Sequence, residues 1–169
     1  IPYRPYKHQF ESWKTLLDDK WKSIVVTSGT GSGKTECFMV PLIYDLTKDS
    51  IGERKQAVEA IFLYPLNALM EDQKERLNNY ISFSEKPLSF AVYNGNTPET
   101  ESSPTYNEDD LFSKEVGTRT EIRKEKPNIL LTNPSMLEYM LLRHQDRELF
   151  SKELKWIVID ETHTFKGSA

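Results

Sequence analysis

The sequence predicts an α/β fold: a parallel β-sheet of at least five strands with helices on both faces. Three observations carry this expectation. Five short, almost wholly apolar runs alternate with stretches whose apolar residues recur at helical spacing. A glycine-rich loop joins the first run to the helical pattern after it, and two adjacent carboxylates stand directly after the last run. Strands apolar at every position are those buried on both faces, as parallel sheets require.

In chain order, Phe10, Trp13 and Leu17 recur at helical spacing and predict an amphipathic helix from Tyr6 to Leu17 that packs on the sheet through that stripe. Ile24 to Thr27 is the first strand. Phe38, Met39, Leu42, Ile43 and Leu46 then mark a helix, with Pro41 expected to kink it or lie near its end. The second strand is Ala60 to Tyr64, stopped by Pro65, and the helix after it carries Leu66, Leu69, Met70, Gln73, Leu77 and Tyr80. The third strand, Leu88 to Tyr93, runs into the turn signal Asn94-Gly95-Asn96.

Residues 97–126 break this rhythm. Their first half is acidic and rich in serine and proline, and predicts a flexible surface insertion; their second half, from Lys114, has room for a short helix. Asn128 to Thr132 is the fourth strand, followed by Asn133-Pro134 as an N-cap and first-turn pair, with Met136, Leu137, Met140 and Leu141 on one helix face. Trp156 to Asp160 is the fifth strand, read as buried.

At 169 residues the chain suits one domain. It opens without a methionine and stops shortly after an apolar strand, as expected of a piece of a longer protein. No apolar run approaches the ~20 residues of a membrane span, so no membrane partner is expected. The net charge of −4 does not advertise a nucleic-acid binder, though a local cleft can still be basic. The single cysteine, Cys37, excludes an internal disulfide and a cysteine-based zinc site. It is expected as a small buried residue, and a reducing, intracellular and cytoplasmic setting fits, nucleoid-associated if the source is bacterial.

The chemistry begins at Thr27-Ser28-Gly29-Thr30-Gly31-Ser32-Gly33-Lys34-Thr35. Glycines let successive N–H groups turn toward one anion, and the helix that follows aims its positive end at the same point. Gly29, Thr30, Gly31, Ser32 and Gly33 are the expected phosphate cradle. Lys34 can reach the outer phosphates, and the Thr35 hydroxyl suits Mg²⁺. Ser28 stands where this pattern usually has its first glycine. Asp160 can hold Mg²⁺ directly or through water, and Glu161 can orient and deprotonate an attacking water.

Gly31 to Thr35 with Phe38 and Pro41, and Asp160-Glu161-Thr162-His163, together resemble motif I and the DEAD/DEAH box of superfamily-2 helicases, in the first of their two RecA-like ATPase domains. The resemblance runs nearly end to end and implies ATP and Mg²⁺ as ligands. Tyr6-Lys7-His8-Gln9 is placed like the adenine-recognising glutamine motif, with Gln9 on the adenine edge and Tyr6 stacking; a purely structural role of Gln9 in the first helix stays open.

Tyr64-Pro65-Leu66-Asn67 resembles motif Ia, Leu131-Thr132-Asn133-Pro134 resembles motif Ib, and Asn94 to Pro98 looks like the turn between them. The resemblance implies that Pro65, Asn67, Gly95, Thr132 and Asn133 contact a single-stranded or duplex nucleic acid. It implies that His163 relays nucleotide state. The wording of these motifs is similar to the MrfA-type and Lhr-like DNA helicases, which favours DNA over RNA. Thr162 departs from the usual residue of the box. A second RecA-like domain of the same parent chain is implied as the source of a catalytic arginine, so residues 1–169 alone are expected to hydrolyse ATP weakly. The alternatives left open are a DEAD-box-like RNA helicase, a P-loop ATPase with no nucleic-acid role, and a scaffold module.

Overall fold

The computed structural model describes residues 4–18, 22–29, 31–48, 55–82, 84, 87–100 and 113–164. They fall into two compact units, residues 1–49 and 50–169.

The first unit holds α1 (Lys7–Leu16) and α2 (Lys34–Lys48), which pack on each other. The buried side of α1 is not the expected stripe: Phe10 is 56% exposed and Leu17 also faces solvent, while Gln9 and Ser12 are buried. Both polar groups are satisfied on the spot. Ser12 Oγ donates to the His8 carbonyl, and Gln9 bonds at both ends of its amide. A polar side chain that keeps its hydrogen bonds is cheap to bury, which a count of apolar residues does not register. Trp13 Nε1 donates to the Glu36 carbonyl at 2.8 Å and ties α1 to α2.

One further expectation fails in this unit. Ile24 to Thr27 forms no strand among the described residues: residues 22–29 carry no regular structure. An apolar run becomes a strand only where a neighbouring strand pairs with it. Pro41 sits in the middle of α2, which neither ends nor begins near it and runs on to Lys48. Cys37 is fully buried, as expected, and burial pushes its thiol pKa up.

The second unit is a five-stranded sheet in the order β3-β2-β4-β1-β5, every pair parallel. Its strands are β1 (Ala60–Leu63), β2 (Leu88–Tyr93), β3 (Ser113–Glu115), β4 (Ile129–Thr132) and β5 (Trp156–Ile159). Four of the expected strands form. The fifth member, β3, is short and polar, and only its pairing with β2 makes it a strand.

Every residue of β1, β2 and β4 is buried. Alternation then sorts them: Ile61, Leu63, Ala91, Tyr93 and Leu130 join Ile122, Met140 and Leu149 in one core. The helices between strands are α3 (Asn67–Ser82), α4 (Arg119–Glu125) and α5 (Pro134–Leu142), and α3 buries Met70, Leu77 and Ile81.

Contrary to expectation, β5 is an edge strand among the described residues. It pairs only with β1, and Ile157 is 63% exposed. The expected insertion is ordered where it is described. Residues 113–126 form β3 and α4, and α4 opens on a capping box between Thr118 and Glu121. Residues 101–112 lie outside the described residues. No helix among the described residues is long and apolar enough to cross a membrane.

Candidate functional site

In the first unit, the glycine loop is shaped by two left-handed residues, Gly31 at φ 72° and Gly33 at φ 75°. Lys34, the first residue of α2, folds its ammonium back over the loop, donating to the carbonyls of Ser28 at 2.8 Å and Gly29 at 3.3 Å. The Ser28 and Ser32 hydroxyls bond each other at 2.6 Å, which gives Ser28 a part in closing the loop. Thr35 follows in the first turn of α2, half-buried. Thr30 lies outside the described residues.

The loop is also fastened to α1. Gln9 Nε2 donates to the Gly33 carbonyl at 3.1 Å, while Gln9 Oε1 accepts from the Tyr6 N–H at 2.9 Å. His8 Nε2 bonds the Ser32 carbonyl at 2.9 Å. Gln9 therefore has a structural duty in this unit, although a primary amide still keeps one N–H and one lone pair. Tyr6 is exposed, and its ring stacks on His8 with centroids 5.7 Å apart.

A side chain at Gly33 would displace the Gln9 amide. A Cβ there would stand 2.4 Å from Gln9 Nε2, on a backbone that L-residues avoid. Gly33→Ala is expected to cost at least about 1–2 kcal/mol from the left-handed backbone alone, read as a lowered urea midpoint, and to weaken nucleotide binding in parallel.

In the second unit, the strand ends line up. Tyr93 pairs with Thr132, Thr132 with Leu63, and Leu63 with Ile159, so β2, β4, β1 and β5 finish level on one rim. The residues singled out from the sequence follow these ends. Asp160 comes directly after β5, its N–H donating to the Leu63 carbonyl and its Oδ1 accepting from the Glu161 N–H at 2.9 Å. Glu161 is exposed and takes a left-handed φ of 49°, rare for a residue with a side chain. Its carbonyl accepts from the Thr164 N–H and hydroxyl. His163 lies in the short 3₁₀ turn Thr162–Thr164, its side chain outside the described residues.

On the same rim Asn67 and Asn133 meet: Asn133 Nδ2 donates to Asn67 Oδ1 at 3.1 Å, while Asn133 Oδ1 caps α5 by accepting from the Met136 N–H. Asn67 and Gly95 are exposed, and Pro65 and Asn133 are half-buried. Thr132 differs. It is fully buried, and its hydroxyl donates to the Tyr93 carbonyl at 2.7 Å. Its side chain holds β4 to β2 and is closed off from solvent.

Two features escaped the sequence reading as chemistry. Tyr64 is fully buried, with no hydrogen-bond partner for its hydroxyl among the described residues; burial, then the charge of Asp160, push its pKa far up. Arg119 and Arg123, both on α4, gather with Arg143 beside the end of β2, and the partners of the first two are too far along the chain for a local pattern to announce.

Comparison with known proteins agrees with these features. A family model for the DEAD/DEAH box helicase matches residues 6–169. The ATP-dependent helicase YprA of Bacillus subtilis (strain 168) is 33% identical over 96% of this chain and 18% of its own length. The Druantia protein DruE of Escherichia coli (strain UMEA 4076-1) is 27% identical over 98% of this chain and 14% of its own length. A crystal structure of the DUF1998 helicase MrfA bound to DNA superposes with a TM-score of 0.70 at 32% identity, over 96% of this chain and 20% of that one. The chain thus spans a fifth or less of each of these relatives. The match of the family model from the start of α1 past the Asp-Glu pair establishes that this chain belongs to the DEAD/DEAH box helicases.

Proposed function

We propose that residues 1–169 serve as the ATP-binding RecA-like domain of a longer nucleic-acid helicase or translocase that acts on DNA. The observation that carries this reading is the loop: two left-handed glycines and a lysine folded over their carbonyls, directly before the first turn of a long helix. Such a loop presents N–H groups and one cation to a single anion. A nucleotide phosphate bears full negative charge and outcompetes the neutral carbonyls that now hold Lys34.

In this proposal Gly29 to Thr35 cradle the phosphates and Lys34 neutralises charge that builds on the γ-phosphate during in-line attack by water. Glu161 orients that water and takes its proton. Tyr6 offers an exposed ring to the adenine, and Gln9 its remaining N–H and lone pair. Thr35 and Asp160 are the groups that would hold Mg²⁺. Among the described residues no cluster of three or more histidine, cysteine, aspartate or glutamate side chains forms a closed metal cage. One hydroxyl and one carboxylate fit a Mg²⁺ ion that takes most of its oxygens from phosphates and water. When bound, the ion supplies charge neutralisation across the phosphate oxygens. His163 relays nucleotide state, and a second RecA-like domain supplies the catalytic arginine.

Pro65, Asn67, Gly95 and Asn133 contact the nucleic-acid backbone through their position on the rim, where N–H groups and short polar side chains reach phosphates. Thr132 contributes by holding the strand ends level. DNA is favoured by the likeness to MrfA in its DNA-bound structure, and an intracellular setting goes with it.

The test is ATP hydrolysis by the protein at its full length with single-stranded DNA, duplex DNA and RNA. Stimulation by DNA is expected. Stimulation by RNA alone overturns the choice of DNA, and indifference to all three turns the reading into a P-loop ATPase without a nucleic-acid role.

A further inference from the structure

Beside the end of β2, two guanidinium groups pair with one carboxylate that faces solvent, and a third reaches the buried carboxylate behind it. Arg123, on α4, is at the centre. Its Nε donates to Oδ1 of the fully buried Asp146 at 2.7 Å, its Nη2 to the Tyr93 hydroxyl at 3.0 Å, and its Nη1 to Glu99. The Tyr93 hydroxyl in turn donates to Asp146 at 3.0 Å. Arg119 Nη2 donates to the Asn94 carbonyl at 3.0 Å, and its Nη1 lies 3.8 Å from Glu99. Arg143 closes the group, its Nη1 4.0 Å from the second oxygen of Asp146.

Among the described residues three positive charges thus face two negative ones. Asp146, with no exposure, is committed to Arg123 and to the Tyr93 hydroxyl inside the fold. Among the described residues Glu99 alone answers Arg119 from outside, and it is half exposed. Arg119 Nε and Arg143 Nη1 are shielded from solvent and have no hydrogen-bond partner among the described residues. Unspent guanidinium donors arranged around a carboxylate are the donor set that also takes a phosphate, since the planar fork matches both. The position adds a direction: Arg119 is bonded to Asn94, and Gly95 and Asn96 next to it are exposed on the rim.

We propose that Arg119, Arg123 and Arg143 form a site for one backbone phosphate of the nucleic-acid strand, and that the Glu99 carboxylate competes with the strand for it. This rests on the nucleic-acid reading above. A phosphate diester at Glu99's position would receive N–H donors from Arg119 and Arg123, with Arg143 adding charge. The site extends the footprint of the rim beyond the strand-end loops. Glu99 makes binding there an exchange of one anion for another, so it weakens a strand that does not fill the site well.

The experiment is equilibrium binding of fluorescent single-stranded DNA to the full-length protein across a salt series, for the wild type, Glu99→Gln, Arg143→Gln and Glu153→Gln. Glu153 is a matched control: it precedes β5, at the end of the sheet opposite the rim, and pairs with Lys55. Glu99→Gln is expected to tighten binding about threefold or more at low salt and to steepen the slope of log K against log salt by about 0.9, the value of one added phosphate contact. Arg143→Gln is expected to weaken binding, and Glu153→Gln to leave it unchanged. Equal tightening by Glu99→Gln and Glu153→Gln would reduce the effect to net charge and overturn the site, as would no change with Glu99→Gln. Failure of the wild type to bind any nucleic acid at low salt would instead sink the function proposed above.

Discussion

Glu161→Gln is expected to bind ATP as the wild type does and to hydrolyse it about 10²–10⁴-fold more slowly, the range of a lost general base. Glutamine keeps the shape of the side chain and can still hold a water, but it cannot accept the proton. The backbone of Glu161 points the same way without the family. Glu161 holds a left-handed φ while its N–H is fixed on Asp160 and its carbonyl on Thr164. Strain of this kind persists only where the surroundings over-determine it, and it concentrates at working sites. Nucleotide affinity by fluorescence and turnover by phosphate release separate the two effects. Undiminished turnover would remove Glu161 from the chemistry.

The second large effect is expected at Lys34. Lys34→Ala should lower turnover by about 10²-fold or more, because it deletes a fixed charge aimed at the reacting phosphate. Unlike Glu161→Gln it should also weaken ATP binding. The ammonium bridges the Ser28 and Gly29 carbonyls, so its removal loosens the loop as well as discharging it. Lys34→Arg keeps the charge but presents a planar fork that the compact loop was not built around, so it should restore binding better than turnover. Both variants are read in the same two assays. Wild-type affinity and turnover in Lys34→Ala would leave the loop as a structural turn.

What the sequence disclosed follows from how far each signal reaches along the chain. β1, β2 and β4 were legible because every residue in them is apolar and every residue is buried. The start of α5 was legible because an N-cap and a first-turn proline are adjacent residues, and Asn133 caps the Met136 N–H as its type predicts. The glycine loop and the Asp-Glu pair are likewise contiguous. β3 was not legible, since Ser113–Glu115 is polar and owes its state to the ladder with β2. Ile24 to Thr27 looked like a strand because hydropathy reports burial it expects and cannot report a partner. Phe10 misled for the complementary reason, Gln9 and Ser12 having taken the buried face with their hydrogen bonds intact. The arginine cluster joins Arg119 to Asn94, and Arg123 to Glu99 and Asp146, each across more than twenty residues, and no short window of sequence contains it.

The level finish of β2, β4, β1 and β5 places a constraint on how this protein can vary. Side chains on a strand point alternately up and down, so a strand longer or shorter by one residue would deliver its last side chain to the wrong side. In β4 that would turn the Thr132 hydroxyl away from the Tyr93 carbonyl and carry Asn133 away from Asn67. Within these strands one apolar residue can replace another at modest cost, whereas their lengths are locked in phase with one another. Insertions are confined to the connections, where added residues leave the rim in step.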